Sequence, residues 1–257
     1  MATPPVAGAT RFARYAFPPN ELGYCGPDDA VALFEYGASA VVDGGLRQLV
    51  QAFDGAWPYL QLIAGAHGLE DPLDTRVVEA YWLGGPLLDT LPVAVIGRSL
   101  DERFRRRAAA GWRAMSDALS PDTRTSHGFH VFSVYPWVGL LRSGSSELPL
   151  EVLDRCRIGW GEVLAVDADE VLVRRRPLTY DRGRLGLGAP ITERVRRGRD
   201  GTTLLALRTG DRVSLHWNWV CERLDTAGVD QLRRDTAHQL AAVNRDLSIS
   251  GPAQLLG

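Results

Sequence analysis

Cysteine and histidine are the residues of this chain best suited to hold a metal or attack an electrophile. They are few: three cysteines and five histidines in 257 residues. The first group lies in the N-terminal half. Cys25 sits in RYAFPPNELGYCGPDD, which gathers Tyr15, Asn20, Tyr24, Asp28 and Asp29 around a double proline. Placed just ahead of a helix start, Cys25 would feel the positive end of the helix dipole. That end favours a thiolate, which makes Cys25 a candidate nucleophile or metal ligand with Asp28 beside it. The same stretch also reads as a rigid turn that only seats a helix. His127-Gly128-Phe129-His130 is the second candidate. In a helix its two imidazoles share a face at i, i+3 and could bind one metal; in a strand they point apart and cannot. Beside Phe129, Phe132, Tyr135 and Trp137 they could instead line an aromatic pocket for an apolar or planar ligand. Cys25, Asp28, His127 and His130 form the candidate catalytic set of an enzyme doing metal-dependent or thiol chemistry.

The second group lies further on. Cys156 stands at the head of an apparent strand in DRCRIGWGEVLAV, and His216 closes GDRVSLH, followed by Trp217-Asn218-Trp219. Arg155, Arg157 and Arg212 would lower the thiol pKa if they lie close. Trp217 and Trp219, if exposed, suit a partner surface. Each of the two also has a plain structural reading, as a small residue at a strand start and as a core histidine.

Composition narrows the chemistry. All 29 basic residues are arginine, so a lysine Schiff base and a Walker A loop are excluded. There is no G-x-S-x-G and no H-E-x-x-H, and RLGLGAP opens no helix at the offset a phosphate loop needs. A net charge of −2 gives no drive toward nucleic acid or an anionic membrane. No apolar run approaches the ~20 residues of a membrane span. No secretory signal is visible, and three widely spaced cysteines argue against a disulfide framework, so a cytoplasmic protein is expected.

The elements that must position these residues change character along the chain. Residues 11–145 read as a mainly helical domain. AVALFEYGASAVV, LRQLVQAF, AWPYLQLIAGAHG and TRVVEAYWL carry helical spacing, with a start at Gly26-Pro27-Asp28-Asp29, a stop at Asp43-Gly44-Gly45 and a cap at Asp74. Ser99 with Glu102 forms a capping box for a helix containing Arg105-Arg106-Arg107. Ser143 to Ser146 reads as a linker. Residues 150–250 read as short strands, then a helix capped at Asp225-Thr226 whose apolar face holds Val229, Leu232, Thr236, Leu240, Val243 and Leu247. Arg174-Arg175-Arg176 reads as a solvated strand edge. The expected fold class is α+β: a helical domain, a small OB-like β-barrel and a C-terminal helix.

Cys156-Arg157-Ile158-Gly159-Trp160-Gly161-Glu162-Val163 and Gly210-Asp211-Arg212-Val213-Ser214-Leu215-His216 occur in order, with an apolar stretch and a helix after them. In these motifs residues 154–247 resemble the hydrogenase-maturation chaperones of the HypC/HupF type. Those proteins open with cysteine, two apolar residues, Pro-Gly, a basic residue and valine, and close with Gly-Asp-x-Val-x-x-His. Here Trp160 replaces the proline, the cysteine is internal, and Tyr180 to Gly201 is an insertion. The resemblance implies that Cys156 and His216 are a functional pair carrying iron with cyanide and carbon monoxide ligands, a low-spin centre that a thiolate and an imidazole suit. It also implies a hydrogenase large subunit or a maturation protein as partner. The whole chain is similar to an uncharacterised bacterial family associated with uptake-hydrogenase gene clusters.

Overall fold

A computed structural model describes residues 6–92, 94, 96–97, 123–135, 137–142 and 147–247. The Ser99–Glu102 capping box, the arginine run 105–107 and the linker 143–146 lie outside these residues. The fold is mixed α+β, with helices first, strands next and a long helix last.

Helix α1 (Gly8–Glu21) is buried along nearly its whole length and forms the axis of the helical half. Sequence reasoning expects a turn around Pro18-Pro19; instead both prolines lie in the last turns of α1. Each lacks the N–H that would bond the carbonyl four residues back, and the Tyr15 carbonyl that Pro19 leaves free accepts from His216 Nδ1 instead. A side chain at Gly8 would overlap the Leu73 carbonyl, so the start of α1 is pressed directly on the chain leading into α5. Around α1 stand α2 (Ala30–Ser39), α3 (Gly44–Gln51), α4 (Trp57–Ala66), α5 (Thr75–Leu83) and α6 (Pro86–Asp89). Asp29 caps α2 through the Ala32 N–H, so that helix starts later than the proline suggests. Asp43 caps α3 through the Leu46 N–H and does not end α2, which stops at Ala40 in the left-handed region. Asp74 caps α5 as expected.

The segment that sequence alone leaves undecided is helical. Helix α7 (His127–Phe129) runs into a π-helical turn (His130–Val134), followed by α8 (Trp137–Arg142) and α9 (Glu147–Cys156). In α9 the buried residues Pro149, Val152, Leu153 and Cys156 keep helical spacing to its last residue. Cys156 therefore ends a helix and does not begin a strand.

Strand β1 (Gly159–Val166) follows, then β2 (Glu170–Arg175), β3 (Leu178–Asp181), β4 (Arg184–Leu187), β5 (Ile191–Arg196), β6 (Gly198–Arg199), β7 (Thr202–Thr203), β8 (Arg212–His216) and β9 (Trp219–Leu224). Five of them close on themselves in the order β1-β2-β5-β9-β8. Every pairing is antiparallel except β5 with β9. The inside is aliphatic: Val163, Val171, Val173, Val195, Val213, Leu215 and Val220. The stretch Tyr180 to Gly201 is not wholly an insertion, because β5 within it is a barrel strand; before it β3 and β4 form a separate hairpin, and Leu185 of β4 exchanges two hydrogen bonds with Asn244 of α10 (Thr226–Leu247).

The helical half and the strands share one core. Trp219, Cys221 and Leu224 of β9 and Val229 and Leu232 of α10 pack in the same cluster as Phe12, Phe17 and Phe34. Trp219 meets Phe17 edge-on with ring centroids 4.9 Å apart.

Candidate metal centre

His216 ends β8, and its ring is set by a consequence of the double proline. Pro19 has no N–H to give to the carbonyl four residues back, on Tyr15. That freed carbonyl accepts a hydrogen bond from His216 Nδ1 at 2.7 Å. The proton is thereby fixed on Nδ1 and the lone pair on Nε2. Nε2 is buried and closes no hydrogen bond among the described residues, although the Cys156 carbonyl lies close enough to the ring to act on its protonation. Burial, and then the neighbouring His127 ring, hold the His216 pKa well below its ordinary value, so the ring is neutral.

Cys156 is held by the helix that it terminates. Two residues before it, Asp154 accepts from Arg157 at 3.0 Å, from Arg175 at 2.8 Å and from the Leu178 N–H at 2.7 Å. This clamp ties the end of α9 to the barrel. Arg175 is thus buried, not solvated, because Asp154 and Glu193 flank it. Arg155 and Arg157 are engaged with Glu193 and Asp154, and Arg212 with Thr226; none activates the sulfur. Burial instead pushes the Cys156 thiol up to about 12, opposed only weakly by the indole N–H of Trp217, which faces the sulfur without closing a hydrogen bond of its own.

His127 comes from α7. Ser126 caps that helix by accepting from the Phe129 N–H, and donates to Asp235 of α10 at 2.9 Å. Gln239 donates to the same hydroxyl at 3.1 Å. His127 Nε2–H donates to the Cys156 carbonyl at 2.9 Å and stands 4.0 Å from its sulfur. The Tyr81 hydroxyl lies 3.5 Å from Nδ1. Burial lowers this imidazole to about 4.

The three side chains converge: one donor atom each from His127, Cys156 and His216 lies within 4.8 Å of the others. The imidazole centroids are 5.0 Å apart, and Trp82 lies against both, at 4.7 and 5.7 Å. Donors bound to one tetrahedral ion at 2.0–2.3 Å stand roughly 3.3–3.8 Å apart, so ion uptake would draw the trio together by about 1 Å. His127 would exchange its carbonyl contact for the ion if it ligates through Nε2.

The trio forms the floor of a cavity of about 250 Å³. Tyr81 and Trp82 complete the buried floor; Tyr24, Gly55, Tyr135, Trp137 and Trp217 form the more exposed rim. Cys25 and His130 also line it, so the two groups of residues picked out by sequence open into one space.

Other sequence candidates fall elsewhere or play other parts. His130 does not share an ion with His127: it lies 3.3 Å from the Tyr59 hydroxyl and packs edge-on to Tyr135. Cys25 is separated from the start of α2 by four residues, and burial pushes its thiol up to about 12, so no helix dipole activates it. Asp28 is exposed on an outer surface depression and does not reach the cavity. Trp219 is buried under Arg196, whose guanidinium lies 4.2 Å over its ring, and cannot face a partner. Trp217 does line the cavity; it stacks on Tyr24 at 4.5 Å, with its backbone in the left-handed region at φ 47°. His127 as the companion of Cys156 and His216 has no signal in the sequence, because the three donors come from three separate elements.

The model of a family of unknown function, DUF6390, matches residues 4–250. The chain belongs to the DUF6390 family. No curated protein and no solved structure matches it. The match takes in every donor of this DUF6390 member's cavity, from Cys25 to His216. No described helix of the DUF6390 chain is long and apolar enough to cross a membrane.

Proposed function

We propose that the protein holds one transition-metal ion through Cys156, His127 and His216, as an accessory factor in [NiFe]-hydrogenase maturation. The observation that carries the metal reading is the unpartnered, buried Nε2 of neutral His216 facing a thiol and a second imidazole. A buried lone pair left without a donor costs free energy unless something occupies it. One thiolate with two imidazoles suits iron, and the donor set alone also suits zinc and copper.

The maturation reading rests on the resemblance of residues 154–247 to HypC/HupF-type chaperones. It is supported by the strand order β1-β2-β5-β9-β8, which we read as a small OB-like barrel. In that reading the ion is iron, and the partner is a hydrogenase large subunit or a metal-delivery protein. A second reading is an enzyme that uses Cys25 and His130 with His127. It is favoured by the presence of all three in the lining of one cavity.

Metal analysis and infrared spectroscopy of protein purified without oxygen test these readings. The first predicts close to one ion per chain, lost in Cys156→Ser and His216→Ala and kept in Cys25→Ser. Iron with cyanide and carbonyl bands, together with co-purification of a hydrogenase large subunit, would support the maturation role. Protein that takes up no iron, zinc or copper removes the metal reading.

A further inference from the structure

The cavity above the three donors is larger than an ion needs, and its walls are specific in character. None of its described lining residues is an arginine, aspartate or glutamate, although the chain is rich in all three. In the metal-free chain a charged ligand entering it would lose its hydration with no opposite charge to pair with. An apolar protein cavity of about 150 Å³ binds benzene, so about 250 Å³ accommodates one or two rings.

The rim is built of flat faces. Tyr24 and Trp217 are stacked with their planes 17° apart. Tyr24 is 54% exposed, so this stack stands at the opening and no core accounts for it. Trp217 occupies a left-handed backbone position in the β8–β9 hairpin that glycine normally takes. A bulky residue kept in such a strained position points to a function for its side chain.

We propose that this cavity binds a small, uncharged, planar aromatic molecule, taken in past the Tyr24–Trp217 stack, with its inner edge toward His127, Cys156 and His216. Offset or edge-on ring contacts favour a flat ligand over an aliphatic one of the same size. The proposal rests on the same cavity as the metal reading, and the experiment separates the two.

Isothermal titration of the full chain, before and after chelator treatment, uses four probes: p-cresol, 4-methylcyclohexanol, benzoate and benzylamine. After chelator treatment, p-cresol is expected to bind about 100-fold more tightly than either charged analogue, the scale of one unpaired polar group taken out of water. It should also bind more tightly than 4-methylcyclohexanol. In Gly55→Leu the new side chain grows from the rim beside His130 Nε2, which lies 3.6 Å from the position of its Cβ. This variant should abolish p-cresol binding. Tyr24→Ala, at an exposed position, should weaken it without lowering the melting temperature. Equal affinity of the chelator-treated chain for p-cresol and benzoate, or affinity unchanged in Tyr24→Ala, overturns the proposal. p-Cresol binding by a chain that takes up no metal supports this proposal while removing the metal reading. Metal uptake without p-cresol binding overturns this proposal alone.

Discussion

Pro19 shapes the candidate centre through a proton it lacks. Its missing N–H leaves the Tyr15 carbonyl to His216 Nδ1, and that bond aims Nε2 at the floor of the cavity. In Pro19→Ala a backbone N–H becomes available to compete for the same carbonyl. Outer contacts of this kind typically change metal affinity about 10–100-fold. Pro19→Ala is therefore expected to weaken metal binding by that range with helicity unchanged, as read by competition with a chromogenic chelator. An unchanged affinity would mean that Tyr15 does not orient the ring. The thiol sets a second expectation. Cys156 is protonated at neutral pH, since burial pushes it up to about 12, while both imidazoles are already neutral. Binding then releases a single proton, so affinity should rise about tenfold per pH unit between roughly pH 6 and 9. A pH-independent affinity would show that the sulfur is not a ligand.

At the scale of elements, α9 and β8 meet because Asp154 joins the end of the helix to the barrel. Arg157 and Arg175 both depend on it, and their side chains are only 3% and 6% exposed. Asp154→Ala leaves the buried Arg157 guanidinium without its carboxylate, while Arg175 keeps Glu193, and should cost about 3–5 kcal/mol in urea titrations. Metal affinity should fall as well, because α9 loses its seat. A loss under about 1 kcal/mol would show that the clamp is dispensable. The elements themselves were unequally legible. The strands show in the alternation from Trp160 onward, and the final helix shows in its apolar stripe, because both patterns are local. Helix α1 was hidden by Pro18-Pro19, which read as a break; the carbonyl that Pro19 leaves free finds its donor on His216, 201 residues from Tyr15, which no local pattern shows. The end of α9 was hidden because Cys156 satisfies the helical spacing behind it and the strand spacing ahead.

For the whole molecule, the shared core is the governing fact. Phe17 and Phe34 have Trp219 as a neighbour, so neither half buries its apolar surface alone. Chains 1–145 and 146–257 expressed separately are expected to lack cooperative melting, whereas the full chain should unfold in one transition by circular dichroism. Two independent transitions in the full chain would contradict this. Acid should also destabilise the metal-free protein. His127 is buried neutral with a pKa of about 4 against an ordinary 6.5. The stability it contributes is complete above pH 6.5 and is lost as pH falls toward 4, roughly 3 kcal/mol. His216 acts in the same direction. Asp235 opposes them: burial raises it from 3.8 to about 6, so its contribution is complete below pH 3.8 and lost as pH rises to about 6. Asp235→Asn should therefore steepen the acid loss measured in urea between pH 7 and 4.5. A flat profile in that variant would rule out the neutral buried histidines.

The residues of the centre were legible one by one and their meeting was not. Cysteine and histidine types mark Cys25, His127, His130, Cys156 and His216, but their convergence depends on long-range packing that no local spacing encodes. That packing has a temporal side. Helix α7 is pinned by Asp235 and Gln239 of the last helix. A nascent chain still lacking that helix would carry His127 on an unanchored segment. In the proposed centre, ion capture would then wait until that helix has been made, and a polypeptide lacking it would leave the cell's metal alone.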